Sequence, residues 1–284
     1  MKFAFIEQHR NAFSIVQMCD ILEVSSSGFY AWVEREPSVR AQENQCLTEQ
    51  IAVLYERSRQ TYGSPRIHAD LQALGKAISR KRVARLMRLN GIQARRKQGY
   101  KSTTKRDKSC EPTPNLLAQD FGAETANETW VADITYIDTH EGWVYLATIL
   151  DVYSRKIVGW SMSTRLQQQL VEDALKMAVG RRDLTPGLTH HSDQGSQYTS
   201  HDFLALLRQH AIQVSMSGVG NCYDNAMMES FFATLKTECA SERFETRQQA
   251  RQIIFEYIEV WYNRLRRHSA LGYLSPNQYE QLVA

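Results

Sequence analysis

The chain has 284 residues, 43% hydrophobic and 23% charged, with 34 Lys and Arg against 31 Asp and Glu. That size and balance allow a sizeable core and about two domains, and exclude a disordered, collagenous or low-complexity chain. The charge is divided: residues 1–119 carry 20 Lys and Arg against 11 acids, and residues 120–284 carry 14 against 20. Such a division suits a polyanion-binding part joined to a part with other duties.

No run approaches the ~18 uninterrupted apolar residues of a membrane span. The start, Met1 to Glu7, turns polar too soon for a secretory signal. Five widely spaced cysteines (Cys19, Cys46, Cys110, Cys222, Cys239) without a C-x-x-C pair argue against a disulfide framework and a zinc knuckle. The expectation is a soluble cytoplasmic protein with no membrane partner.

Two helix-turn-helix patterns open the chain. In the first, Ser14 caps a helix with Ile15, Met18, Ile21 and Leu22 on one side, Val24-Ser25 makes the turn, and Ser26 or Ser27 starts a helix with Phe29, Tyr30 and Val33. Its second helix is weakly charged, so packing or dimerisation is at least as good a reading as DNA contact. In the second, Ser64-Pro65 begins a helix with Ile67, Leu71 and Leu74, and Gly75 ends it. Ser79 then caps a helix with Val83, Leu86 and Met87 inward that stops at Asn90-Gly91. Its other side offers Arg80, Lys81, Arg82, Arg85 and Arg88, a face that fits a DNA major groove and neutralises phosphates. Residues 95–119, with Arg95, Arg96 and Lys97 at their head, read as a basic linker. The expected division is a helical segment 1–40, a DNA-binding region 41–94, this linker, and a catalytic core 120–284.

From residue 120 the pattern predicts strands over 130–137, 143–150, 156–162, 188–192 and 213–217. Helices are expected over 168–179, 201–210, 225–238 and 247–264. Three consecutive antiparallel strands followed by alternating helix and strand indicate a mixed α/β sheet with helices on both faces.

Three acids stand out. Asp133 sits inside a β-rich run, where Asp is disfavoured, and alternation places it with Val131, Thr135 and Ile137. Asp193 follows a strand end before the turn Gln194 to Gln197, and Glu229 lies on a helix that also presents Asn225 and Lys236 on the same face. Carboxylates in this number suit Mg²⁺, which takes hard oxygen ligands, and two such ions can serve in-line phosphoryl displacement. An edge-strand acid, an Asx turn and a surface helix residue are the competing readings of the three, and Asp138, Asp151 and Asp224 compete as ligands. Lys236 and Asn225 are read as contacts near the cut, and His191 as support for Asp193 or as a packed strand histidine.

Asp193 and Glu229 have 35 residues between them, and Lys236 follows seven after Glu229. With Trp130-Val131-Ala132-Asp133-Ile134-Thr135-Tyr136, His191-Ser192-Asp193-Gln194-Gly195-Ser196-Gln197-Tyr198 and Gly220 to Phe232, this resembles the D,D(35)E signature of bacterial insertion-sequence transposases, in their second-reading-frame (OrfB) product. Tyr62-Gly63-Ser64-Pro65-Arg66-Ile67 and the tail Tyr262 to Ser269, followed by Leu274-Ser275-Pro276, are similar too. The resemblance implies an RNase H-like core preceded by an all-α helix-turn-helix region, with Asp133, Asp193 and Glu229 as catalytic and metal-binding acids. It implies two Mg²⁺ ions, for which Mn²⁺ could substitute, and cleavage and strand transfer of the element's double-stranded DNA ends. It also implies an upstream-frame (OrfA) helix-turn-helix partner, in some cases fused by frameshifting. A homo-oligomer on DNA, associated with the nucleoid, follows as an expectation. A nuclease without joining activity and an inert, domesticated DNA-binding regulator are the alternatives.

Overall fold

The computed structural model describes residues 1–95, 122–184, 186–217 and 226–283. The chain divides into two compact units, Met1–Val53 and Leu54–Ala284.

In the first unit, α1 (Lys2–His9), α2 (Ile15–Ile21) and α3 (Ser26–Val33) close around Ile6, Met18, Cys19 and Phe29. Ser14 stands at the N-cap of α2, but its side chain makes no capping bond. At α3 the cap is complete: the Ser25 side chain accepts the Gly28 N–H at 3.0 Å, so the helix begins at Ser26, the first of its two expected starts. A 19-residue helix, α4 (Val39–Arg57), follows and contains the division between the units at Val53.

The second unit begins with the pair α5 (Ser64–Ala73) and α6 (Arg80–Leu89). Ile67 and Leu71 of α5 are buried, as are Val83, Leu86 and Met87 of α6. Ser79 caps α6 by accepting the Arg82 N–H, and His68 Nε2 bonds the Ile78 carbonyl across the turn at 2.8 Å. Both helices are followed by glycines with positive φ, Gly75 and Gly91, a conformation that only a residue without Cβ adopts freely.

The rest is built on a five-stranded sheet in the order β3-β2-β1-β4-β5. Its strands are β1 (Thr129–Ile137), β2 (Val144–Asp151), β3 (Ile157–Ser163), β4 (Thr189–Ser192) and β5 (Gln213–Met216). The first three are antiparallel neighbours, while β4 and β5 run parallel to β1. Trp130, Ala132, Ala147, Ile149 and Val158 form one face, covered by α7 (Gln168–Arg181) and α8 (His201–Gln209) through Leu170, Val171, Ala174, Phe203 and Leu207. At Gly159 the approach of α7 is so close that a Cβ would stand 2.2 Å from the Ala174 carbonyl oxygen.

The alternate row of β1, Val131, Asp133, Thr135 and Ile137, looks the opposite way, and α9 (Ala226–Glu238) lies against β1. The expected helix over 247–264 is α-helical only in α10 (Arg247–Glu256) and continues as a π-helical turn, Tyr257–Tyr262. This turn buries Tyr257, Ile258, Trp261 and Tyr262, the same inward face that a regular helix would present at this spacing. Asn263 follows, and its side-chain amide bonds both the N–H and the C=O of Ile157 at 2.9 Å, at the rim of β3. A last helix, α11 (Pro276–Val283), closes the chain.

Among the described residues Cys19, Cys46 and Cys239 are free. No helix there is long and apolar enough to cross a membrane.

Candidate active site and nucleic-acid interface

The sheet register brings two of the three acids together. β1 and β4 pair in parallel up to Val131↔His191. Two residues further along each strand direction stand Asp133 and Asp193, and a two-residue step keeps them on one face. Asp133 is still inside the sheet, opposite Thr148 of β2, while Asp193 is the first residue past β4. The Asp133 carboxylate accepts the Ile134 N–H at 2.7 Å. Asp193 accepts the Gly195 N–H at 3.0 Å, and a Cβ at Gly195 would lie 2.9 Å from the same oxygen. Glu229 enters from the first turn of α9.

The charges of Asp193 and Glu229 both reach Asp133. Burial pushes the Asp133 carboxyl up to about 8, the charges of Asp193 and then Glu229 add to the rise, and the Ile134 N–H and Lys236 oppose it. Burial also raises Asp193, against the Gly195 N–H, and raises Glu229. Lys236 is half-buried on the Glu229 side of α9, and burial lowers its pKa while Asp133 raises it. Asp133 and Asp193 are half-buried on one strand pair, and the charges of Asp193 and Glu229 disfavour that of Asp133. Among the described residues no three His, Cys, Asp or Glu side chains stand close enough together to hold a metal ion, Asp133, Asp193 and Glu229 included.

The competing acids have other duties. Asp138 pairs with Arg243 at 3.0 Å. Asp151 is fully buried at the end of β2, where it accepts the Asn127 and Ser154 N–H groups and meets Arg182. Asp224 and Asn225 lie outside the described residues. His191 is a packed strand histidine whose Nδ1 bonds Ser215 Oγ at 2.8 Å.

On α6, Arg80, Lys81, Arg85 and Arg88 are exposed and Arg82 is half-buried. Arg95 is exposed too. Its backbone N–H donates to the Gln60 carbonyl at 3.1 Å, which returns the chain from α6 to the segment that follows α4. Arg96 and Lys97 lie outside the described residues.

Sequence reasoning missed one group that bears on the site. Glu238, at the far end of α9, is buried with Arg266: the guanidinium donates to both carboxylate oxygens at 2.7–3.0 Å, and Tyr257 Oη and Trp261 Nε1 donate as well. Burial works against the Glu238 charge, but Arg266 and these donors outweigh it and hold the carboxyl below its ordinary value. A Glu near a helix end carries no local mark of burial. The only available signal was the Arg-rich tail.

The comparisons with known proteins agree with this architecture. Residues 123–222 and 210–276 match two family models, both described as an integrase core domain, and residues 41–100 match an HTH-like domain. The class is therefore that of an integrase-core polynucleotidyl transferase joined to an HTH-like region. The chain is 44% identical over 283 residues to the transposase InsF for insertion sequence IS3A of Escherichia coli (strain K12), covering 99% of this chain and 98% of that one. It is also 44% identical over 272 residues to an uncharacterized 31 kDa protein of insertion element IS600 from Shigella sonnei, covering 94% and 100%. A solved structure of the BIV integrase catalytic core domain is similar at 16% identity and a TM-score of 0.42, over 55% of this chain and 95% of that one. The chain belongs to the family of insertion-sequence transposases that includes InsF of IS3.

Proposed function

We propose that Asp133, Asp193 and Glu229 are the catalytic acids with which this transposase cuts the ends of its insertion element and joins the freed 3′-hydroxyl to target DNA. The observation that carries the reading is Asp133: a mid-strand carboxyl pushed up to about 8 by burial and by two acids from distant parts of the chain. Three carboxylates beside one lysine leave a net negative site of hard oxygen donors, the donor set that Mg²⁺ takes. We infer that these three residues hold two Mg²⁺ ions, with Mn²⁺ as a substitute. Asp133, Asp193 and Glu229 would hold the ions, which when bound would supply Lewis-acid activation of the attacking oxygen and charge neutralisation at the leaving one.

The protein's own part is positioning. Asp133 lies in β1 and Asp193 directly follows its neighbour β4, so backbone hydrogen bonds fix their spacing, and Glu229 is brought to them by α9. Lys236, which senses Asp133, is assigned to a phosphate or base edge near the cut, with Asn225. No Ser or Tyr nucleophile is assigned, because water and then the 3′-hydroxyl attack phosphorus directly. Arg80, Lys81, Arg82, Arg85, Arg88, Arg95, Arg96 and Lys97 are proposed to hold the duplex, with residues 95–119 as the linker to the core.

Joining needs two ends, so the acting form is proposed to be a homo-oligomer on DNA, in the cytoplasm at the nucleoid. An upstream-frame OrfA-type protein, separate or fused, is proposed as its partner on the strength of the sequence resemblance. The test is purified protein with labelled element ends, with and without Mg²⁺ and the upstream product. Joined product with the wild type and none with Asp133→Asn is expected. Unchanged joining by Asp133→Asn overturns the assignment. Cleavage without joining would instead mark a nuclease, and DNA binding without turnover a regulator.

A further inference from the structure

Two motifs remain without a role once the acids and the basic helix are assigned: Tyr62 to Ile67, and the tail Tyr262 to Ser269. In the structure they grip each other. Tyr62 Oη accepts the Arg267 backbone N–H at 2.6 Å, and Arg66 Nε donates to the Arg267 carbonyl at 2.9 Å. The Arg267 guanidinium pairs with Asp70 of α5 and donates through Nη1 to the Tyr273 carbonyl at 2.8 Å. The Tyr62 ring packs against Trp261, with centroids 5.7 Å apart.

One residue earlier, Arg266 binds Glu238 of α9. Adjacent arginines thus serve two elements: Arg267 the helix pair that carries the basic face, Arg266 the helix that carries Glu229. A planar guanidinium bonded to both oxygens of a carboxylate fixes direction as well as distance. Glu238 follows Glu229 by nine residues. That is about two and a half turns, so the two side chains leave α9 on opposite sides. Holding Glu238 from behind therefore sets both the rotation and the axial position of Glu229. An apolar contact would bury as much surface but would fix neither, since it is non-directional.

We propose that Arg266 and Arg267 are positioning residues: they form a strap that places Glu229 against Asp133 and Asp193 while α5 is seated on the tail, coupling the DNA-holding helix pair to completion of the acidic site. This rests on the reading of Glu229 as the third catalytic acid.

The test uses the full chain and element-end DNA, with variants on the α5 side, away from the acids and from the exposed face of α6. Asp70→Ala removes the Arg267 partner, and Tyr62→Phe removes a single acceptor oxygen. Both are expected to bind end DNA as the wild type does. A reacting group displaced by about 1 Å costs on the order of 100-fold, so Asp70→Ala should lower kcat at saturating DNA by roughly that factor, with Tyr62→Phe intermediate. In the absence of DNA, both should also show a smaller rise in Tm on adding Mg²⁺ alone. Arg267→Lys, which keeps the charge opposite Asp70, should show only part of both effects. Variants that lose Tm yet keep wild-type kcat per folded molecule and a wild-type Mg²⁺ response overturn the proposal. Glu229→Gln is the control. If it leaves kcat and the Mg²⁺ response intact, the acidic-site reading itself falls. If it abolishes both while Asp70→Ala leaves both intact, the strap alone is refuted.

Discussion

Asp133 and Asp193 stand on neighbouring parallel strand paths, each two residues beyond the register pair Val131↔His191. Burial, reinforced by the charge of Asp193, lifts Asp133 from 3.8 to about 8. A group that binds its proton more tightly when folded favours the folded state at low pH. That contribution is full below 3.8, fades as the pH rises, and is gone above about 8. In the presence of a chelator, Asp133→Asn should therefore be more stable than the wild type at pH 8, and its stability should fall less between pH 4 and 8. Denaturant midpoints of the two proteins across that range measure this, and parallel curves would count against it.

The Glu238–Arg266 pair bears on stability directly. Both side chains are nearly inaccessible, at 4% exposure each, so removing one partner strands a charge in the interior. Arg266→Ala is expected to cost about 3–5 kcal/mol. Glu238→Leu combined with Arg266→Met should cost less than the two single changes added together, because neither charge is then left alone. Urea unfolding of these variants measures the difference.

Gly159 tests the packing of α7 on the sheet. A methyl group there would meet the Ala174 carbonyl at 2.2 Å and the Ala178 Cβ at 2.8 Å. Backbone cannot yield as a flexible side chain does, so Gly159→Ala is expected to destabilise by at least about 1–3 kcal/mol. Thermal unfolding at neutral pH reads this out, while Gly180→Ala, with nothing within 4 Å of the added carbon, should be neutral or stabilising because it lies in α7.

The exposed basic face of α6 should be visible in salt dependence. Each arginine that meets a phosphate adds about 0.9 to the slope of log K against log salt. Arg85→Ala and Arg88→Ala should each weaken binding across all sequences and reduce the slope by about that amount. Titrations of end DNA at several salt concentrations measure the slope, and an unchanged value would remove those residues from the interface.

Much of this was legible from local chemistry. Ser79 before a run with Val83, Leu86 and Met87 at helical spacing, closed by Asn90-Gly91, is a helix with both ends marked, and α6 is there. The five strands carried β-branched and aromatic residues in short runs bounded by turns, and all five formed within a residue or so of their expected ends. Asp133 was conspicuous because a lone carboxylate in a strand needs a reason.

What stayed hidden has little local period. In α4 only Ile51 is buried, and its apolar stripe, Leu47, Ile51 and Leu54, is confined to the second half of a helix whose first half is mostly polar. The π-helical turn buries four large residues out of six, a pattern that a 3.6-residue reading takes for ordinary helix. Glu238 and Arg266 are separated by 28 residues, and only the folded chain reveals that each is the other's counter-charge.

The Asn263 amide meets the outer rim of β3 as a neighbouring strand would, giving and taking one hydrogen bond at Ile157. A borrowed rung of this kind blunts the ladder where another polypeptide could begin to zip on. Copies of the protein gathering on DNA would then have to meet elsewhere than at the start of β3, through helices, other margins of the sheet, or the nucleic acid itself.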